Sequence, residues 1–132
     1  MKALFGIALL STVLLAGCAA PGDTHTANVK MNTPTAISSM SLMGPGCEDW
    51  GAPTGHVVTP PRHGEVKFLY HRGPLQAKDS KCNGEMMTSR IAVYVPNKGF
   101  KGTDSTSLKF VYINNDAGGS ANMGQQFTIN VQ

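Results

Sequence analysis

The chain has 132 residues, of which 41% are hydrophobic and 14% charged, with a net charge of +3. This length accommodates one domain. Its basic residues are scattered, without the clusters that follow a phosphate backbone, so nucleic acid is excluded as an expected partner. The 15 glycines and 8 prolines predict many turns, which favours an all-β fold over a helical one.

The first residues predict a secretory leader. Lys2 precedes an apolar run that continues to Leu15, which is too short and too abruptly ended for a membrane-spanning helix. The run closes with Leu-Ala-Gly-Cys at residues 15–18, which resembles a bacterial lipobox. The resemblance implies that residues 1–17 are a signal peptide and that acyl chains such as palmitate anchor the mature protein through Cys18. The alternative is an ordinary cysteine beside an ordinary cleavage site.

The residues after Cys18 bear on location and on attachment. In enterobacterial lipoproteins an aspartate directly after the lipidated cysteine favours retention in the inner membrane, so Ala19 favours the outer membrane, with the protein facing the periplasm or the cell surface. Residues 18–35 are small or polar without apolar periodicity, which predicts a flexible tether. The folded domain is then expected over residues 36–132.

Two cysteines remain once Cys18 is assigned to lipid, Cys47 and Cys82. In an oxidising compartment two thiols most simply form one disulfide. In the chain-entropy model the closed loop would contribute about 4 kcal/mol of stability. A reactive or metal-binding pair is less expected, because the sequence has no Cys-x-x-Cys spacing.

The domain carries short β-strand patterns at intervals broken by turn residues, which is typical of a sandwich or barrel. Strands are predicted over residues 65–70, 90–95, 108–113 and 125–131, with weaker patterns over 36–42 and 56–59. Residues 60–64 and 114–119 have turn composition. Each of the four clear strands places apolar residues on one face, in the sets Val66, Phe68 and Tyr70; Ile91, Val93 and Val95; Leu108, Phe110 and Tyr112; Phe127, Ile129 and Val131.

The run from Tyr94 to Ser105 reads Tyr-Val-Pro-Asn-Lys-Gly-Phe-Lys-Gly-Thr-Asp-Ser. With Pro-x-x-Gly-x-Val at residues 61–66 and the closing strand at 127–131, it resembles the bacterial Ig-like and cadherin-like modules of surface proteins. The resemblance implies an Ig-like β-sandwich. The chain departs from the tandem pattern in having one copy, an added loop at Cys82 and Thr106 where an aromatic residue is expected. Within the run, Pro96 should end a strand, Phe100 should plug the core and Asp104 should accept loop N–H groups.

The sequence has no catalytic or cofactor motif. It contains no His-Glu-x-x-His, Gly-x-Ser-x-Gly, phosphate loop or dinucleotide fingerprint, so an enzyme is the least expected class and no cofactor is expected. Calcium bound by Asp49, Asp104 and Asp116 is a weak alternative. Copper is another, because thioether and imidazole suit it. Its candidate ligands are Met31, Met40, Met43, Met86, Met87, Met123, His25, His56, His63 and His71.

These observations predict a non-catalytic envelope lipoprotein that presents an Ig-like module for binding or structure, with a protein or a glycan as partner. A periplasmic copper-binding lipoprotein and an inhibitor or immunity protein against a lytic enzyme are the alternatives. Trp50, close to Cys47, is the candidate contact residue, because an aromatic ring on a disulfide-held loop is preorganised for recognition. The competing interpretation is that Trp50 covers the core.

Overall fold

The computed structural model describes residues 23–113 and 118–132. The predicted leader, Cys18 and residues 114–117, for which a turn was predicted, lie outside these ranges. No helix within them is long and apolar enough to cross a membrane. The described residues form seven β-strands: β1 (Asp23–Val29), β2 (Thr35–Ser41), β3 (Thr54–Thr59), β4 (Gly64–Pro74), β5 (Met86–Pro96), β6 (Gly102–Ile113) and β7 (Ser120–Val131).

The strands form two sheets packed as a β-sandwich, which confirms the predicted fold class. One sheet has the order β1-β7-β6-β3 and the other β2-β5-β4. In a constant-type immunoglobulin domain, strands A, B, E and D form one sheet and C, F and G the other. Here β2-β5-β4 has the B-E-D order and β3-β6-β7 the C-F-G order. The first strand differs, because β1 pairs in parallel with β7 instead of lying beside β2.

The core lies between the two sheets and follows the predicted alternation in β6 and β7. Its fully buried members are Val29, Ala92, Tyr94, Leu108, Phe110, Phe127, Ile129 and Val131. From Arg90 to Pro96 the even-numbered residues of β5 are the buried ones, so Ile91, Val93 and Val95 share the other face and are half-buried there. The strands β4 to β7 are each several residues longer than their patterns, since pairing with a neighbour continues beyond the apolar positions.

Residues 23–29 differ from the prediction, which placed them in a flexible tether. It forms β1, and all seven of its residues pair with β7, from Asp23 opposite Gln125 to Val29 opposite Val131. Apart from the fully buried Val29, the segment is mostly exposed, so it carries no hydrophobic pattern. It becomes a strand because the edge of β7 offers backbone hydrogen-bonding groups that an adjacent strand satisfies.

The Tyr94–Ser105 run forms the corner between β5 and β6. As predicted, β5 ends at Pro96, and the connection spans only residues 97–101. Gly99 and Gly102 have φ values of 78° and 134°, which a residue with a Cβ resists. Phe100 packs against the core and stacks on the His63 ring, with 4.1 Å between centroids. β6 begins at Gly102, so the last four residues of the run, 102–105, belong to a strand that was predicted to begin only at residue 108.

Asp104 is the polar centre of this corner and is 5% exposed. Its carboxylate accepts hydrogen bonds from the N–H groups of Arg62, His63 and Ser105 at 2.9–3.0 Å. It also accepts one from the Tyr94 hydroxyl at 2.8 Å. Burial opposes the charge, but these four donors outweigh burial and hold the pKa of Asp104 below its ordinary value. The predicted role of Asp104 as an acceptor of loop N–H groups is confirmed.

We expect Asp104→Asn to lower the free energy of unfolding at pH 7 by about 1–3 kcal/mol, because an amide presents an NH₂ to donors that need an acceptor. The lowered pKa makes the carboxylate stabilising above the unfolded-state value of about 3.9, and this stabilisation is lost as pH falls through the folded-state value. The difference from wild type, measured by urea unfolding, should therefore shrink below pH 4. Asp79→Asn, at an exposed loop position, is the control. A deficit that stays constant down to pH 2 would contradict the charged role.

Candidate functional site: the Trp50 surface

The end of the sandwich formed by the β2–β3, β4–β5 and β6–β7 connections carries an exposed apolar surface. Trp50 is 66% exposed and Ile113 is 72% exposed, and Met43 and Met123 are exposed beside them. We call these four residues the Trp50 surface. Trp50 does not belong to the core cluster, so the interpretation that it covers the core is wrong.

A small hairpin presents Trp50. The backbone N–H of Trp50 donates to Leu42 O and the backbone N–H of Leu42 donates to Gly51 O, both at 2.9 Å. Met43 and Asp49 form the next pair toward the tip. The indole is seated over Gly44, since a Cβ added there would lie 2.9 Å from two indole atoms. One side of the ring therefore needs a glycine beneath it, while most of the side chain remains in water.

The predicted disulfide is present and joins the hairpin to the β4–β5 connection. Cys47 and Cys82 are bonded, with 5.4 Å between their Cα atoms. Cys82 is fully buried, and the Lys81 ammonium donates to Pro45 O in the hairpin tip. This disulfide links two loops at one end of the domain, whereas that of antibody domains links the sheets through strands B and F.

Asp49 fixes the hairpin to both neighbouring strands. Its carboxylate accepts the Gly51 N–H at 2.9 Å, the Arg72 guanidinium at 2.7 Å, and the N–H and hydroxyl of Thr88 at 3.1 and 2.8 Å. The Thr88 hydroxyl, followed by the Gly51 N–H, lowers the pKa of Asp49 from its ordinary value. The hairpin is thus held by charge-assisted hydrogen bonds as well as by the disulfide.

Arg90 holds the end of the same connection. Its Nε donates to Pro53 O at 3.0 Å, and its guanidinium lies 3.5 Å from the centroid of the Tyr70 ring. Tyr70 shares a face with Val66 and Phe68, as predicted, but it is 66% exposed and contacts Arg90 rather than entering the core. Both ends of residues 42–53 are therefore fixed to the sheet formed by β2, β5 and β4.

Two apolar hollows flank Trp50. The larger, about 410 Å³, has Met40, Leu42, Met43 and Met123 in its wall together with Ser41, Trp50, Tyr112 and Ile113. The smaller, about 340 Å³, shares Leu42, Trp50, Tyr112 and Ile113. No described side chain in either lining is charged. The larger hollow lies beside β2, which is the edge strand of its sheet. β1 does not cover the adjacent part of β7, because it pairs with β7 only from Gln125 onward.

The candidate copper ligands are only partly brought together. Met40, Met43 and Met123 line the larger hollow without a histidine, whereas Met40 and Met43 line a neighbouring hollow together with His71. His25 stacks on Phe127 and His63 on Phe100, at other places in the sandwich. No group of three or more His, Cys, Asp or Glu side chains that could hold a metal ion occurs within residues 23–113 and 118–132.

The candidate calcium ligands are separated. Asp49 lies in the β2–β3 hairpin and Asp104 at the start of β6, at opposite ends of the sandwich, and each carboxylate is occupied by protein donors. Asp116 lies outside the described residues. Ile113 could not be predicted as a neighbour of Trp50. The two residues are far apart in sequence and meet only in the folded domain, where they line the same hollow.

Comparison of the chain with protein families, with curated proteins and with solved structures found no match.

We expect Cys47→Ser to lower the melting temperature by more than about 10 °C, because opening a loop of this size costs about 4 kcal/mol in the chain-entropy model. Thermal unfolding followed by circular dichroism measures the change. Wild-type protein treated with dithiothreitol should melt with the variant, which separates loss of the crosslink from loss of the side chain. An unchanged melting temperature, with two titratable thiols in the oxidised wild type, would refute the structural role of the disulfide.

Proposed function

We propose that this protein is a non-catalytic lipoprotein of the bacterial cell envelope, anchored through Cys18, that presents an Ig-like sandwich as a binding or structural module. The Trp50 surface is the contact surface for an envelope component. The observation that carries the proposal is that an exposed tryptophan is fixed at three points, by the disulfide, by Asp49 and by the Arg90 bond to Pro53 O.

The physical argument concerns the cost of ordering. A contact residue on a mobile loop loses conformational freedom on binding, and that loss subtracts from affinity. The residues that hold the hairpin remove most of this loss in advance. Tryptophan and methionine are also enriched at the centres of contact surfaces, where they provide large apolar area. A fixed, exposed apolar surface of this kind supports a role in contact more than one in stability.

The proposed lipidation indicates where in the cell the protein is located. The leader and the Leu-Ala-Gly-Cys run at 15–18 support attachment to a membrane through Cys18. The disulfide supports an oxidising compartment, since such bonds persist outside the cytosol. Ala19 favours the outer membrane, with the sandwich in the periplasm or on the cell surface. The sequence-based expectation of a protein or glycan partner applies to this location.

We expect the protein to incorporate labelled palmitate in cells and to remain with the membrane fraction after a high-salt wash. Each buried CH₂ of an acyl chain contributes about 0.8 kcal/mol, so several chains resist salt. Cys18→Ala should abolish labelling, while Cys47→Ser should retain it and serves as the matched cysteine control. Unlabelled wild-type protein released as a soluble species would contradict the lipoprotein assignment.

A photo-activated crosslinker placed at position 50 in living cells should yield adducts with an envelope component, because this position is exposed at the centre of the contact surface. The same crosslinker at Val58, which is also exposed but lies on β3, should yield markedly fewer. Adducts are scored by gel shift and mass spectrometry. Equal yields at the two positions, or none at position 50, would count against the Trp50 surface as the contact surface.

A further inference from the structure

The position of β1 sets how far the sandwich can lie from a lipid on Cys18. β1 begins at Asp23, so only residues 18–22 connect the proposed anchor to the folded domain. An extended chain spans at most about 3.3–3.6 Å per residue, which places the Cα of Cys18 within about 18 Å of that of Asp23. A tether over residues 18–35 would have allowed about 60 Å. A lipid on Cys18 would therefore keep the start of β1 close to the bilayer.

The direction of β1 selects which end faces the bilayer. β1 runs parallel to β7, with Asp23 opposite Gln125 and Val29 opposite Val131. The chain therefore enters the sandwich from the side of Ser120, which pairs with Ile113. The five steps from Ser120 to Gln125 span about 17 Å of strand, so the end that carries the Trp50 surface is within reach of the anchor. The opposite end lies beyond the far end of β1.

The chemistry of this end fits the boundary between headgroups and acyl chains. Tryptophan concentrates at that boundary, because its ring is apolar while its N–H still needs a hydrogen-bond partner. Ile113, Met43 and Met123 supply apolar area around it. The two hollows beside Trp50 have no charged side chain in their described linings. A lipid surface could therefore cover these linings without the cost of burying a charge. In water, by contrast, such a contiguous apolar surface is unfavourable.

We propose that the Trp50 surface contacts the bilayer that holds the Cys18 lipid, with Trp50 and Ile113 inserted at the interface. This inference rests on the proposed lipidation and names the envelope component that the contact surface meets as lipid. The acyl chains provide the affinity, and the Trp50 surface fixes the orientation of the sandwich. The β3–β4 and β5–β6 connections, at the end that holds Asp104, then face away from the membrane.

The single tryptophan of the chain allows a direct test. The intact lipoprotein is reconstituted into vesicles of phosphatidylethanolamine and phosphatidylglycerol that carry brominated acyl chains. Bromines within about 5–10 Å of the headgroup boundary should quench Trp50 strongly and its emission should shift to the blue, because interfacial side chains insert to that depth. The lipidated double variant Trp50→Phe with Val58→Trp, which moves the tryptophan to β3, should be quenched little.

The outcomes separate this proposal from the one on which it rests. Labelled palmitate on the same preparation reports lipidation independently of orientation. Lipidated protein with unquenched Trp50, or with equal quenching at positions 50 and 58, would overturn the membrane-contact proposal and leave the lipoprotein assignment intact. Absence of lipid on Cys18 would overturn both. A protein or glycan crosslinked at position 50, with no quenching, would assign the surface to that partner instead.

Discussion

The buried carboxylate of Asp104 joins three separate parts of the chain at one end of the sandwich. It binds the N–H groups of the β3–β4 connection, the hydroxyl of Tyr94 on β5 and the N–H of its own neighbour on β6. β3 and β6 belong to one sheet and β5 to the other, so this network fixes the two sheets to each other. A charge buried in this way is tolerable only when donors satisfy it. Four do so here.

The opposite end is held by a different arrangement, in which the bonds lie outside the core. The disulfide, the Asp49 carboxylate and the Arg90 guanidinium all fix the hairpin that contains Trp50. These contacts lie around the base and the tip of the hairpin and leave the indole outside. The two ends thus differ in what they leave exposed. At one end the polar network includes the hydroxyl of the buried Tyr94, and at the other an apolar surface is left exposed by the protein.

The sequence predicted the parts of the fold that depend on local alternation and on residue chemistry. The strands β4 to β7, the core positions of β6 and β7 and the stop at Pro96 follow from side-chain period and from proline geometry. The disulfide followed from cysteine number and compartment. β1 could not be predicted, because its residues are mostly polar and its stability comes from the edge of β7, which lies about 100 residues later. Pairings over such separations leave no local signal.

The candidate site was predictable to the same limited extent. Trp50 could be identified from its proximity to Cys47, since the loop and its crosslink are adjacent in sequence. Its neighbours could not, because Ile113 and Met123 reach the same surface only through the pairing of β6 with β7. Asp49 was a candidate calcium ligand only through the resemblance to cadherin-like modules, which can bind calcium through aspartates. Its contacts with Arg72 and Thr88 depend on how the hairpin packs against two strands, which composition does not encode.

Because residues 23–29 form β1 instead of a flexible tether, the apolar surface needs less affinity of its own to contact a membrane. A surface of four side chains would bind a bilayer weakly by itself, because each contributes little and association has a large entropic cost. An anchor that is already inserted removes most of that cost, since a short link raises the effective concentration of the second contact to the millimolar range. With five residues between the proposed anchor and β1, even a weak preference of Trp50 and Ile113 for the interface would be enough to orient the domain as we propose. The same surface on an 18-residue tether would gain much less effective concentration. The proposed membrane contact of Trp50 therefore depends on the pairing of β1 with β7, which shortens the link.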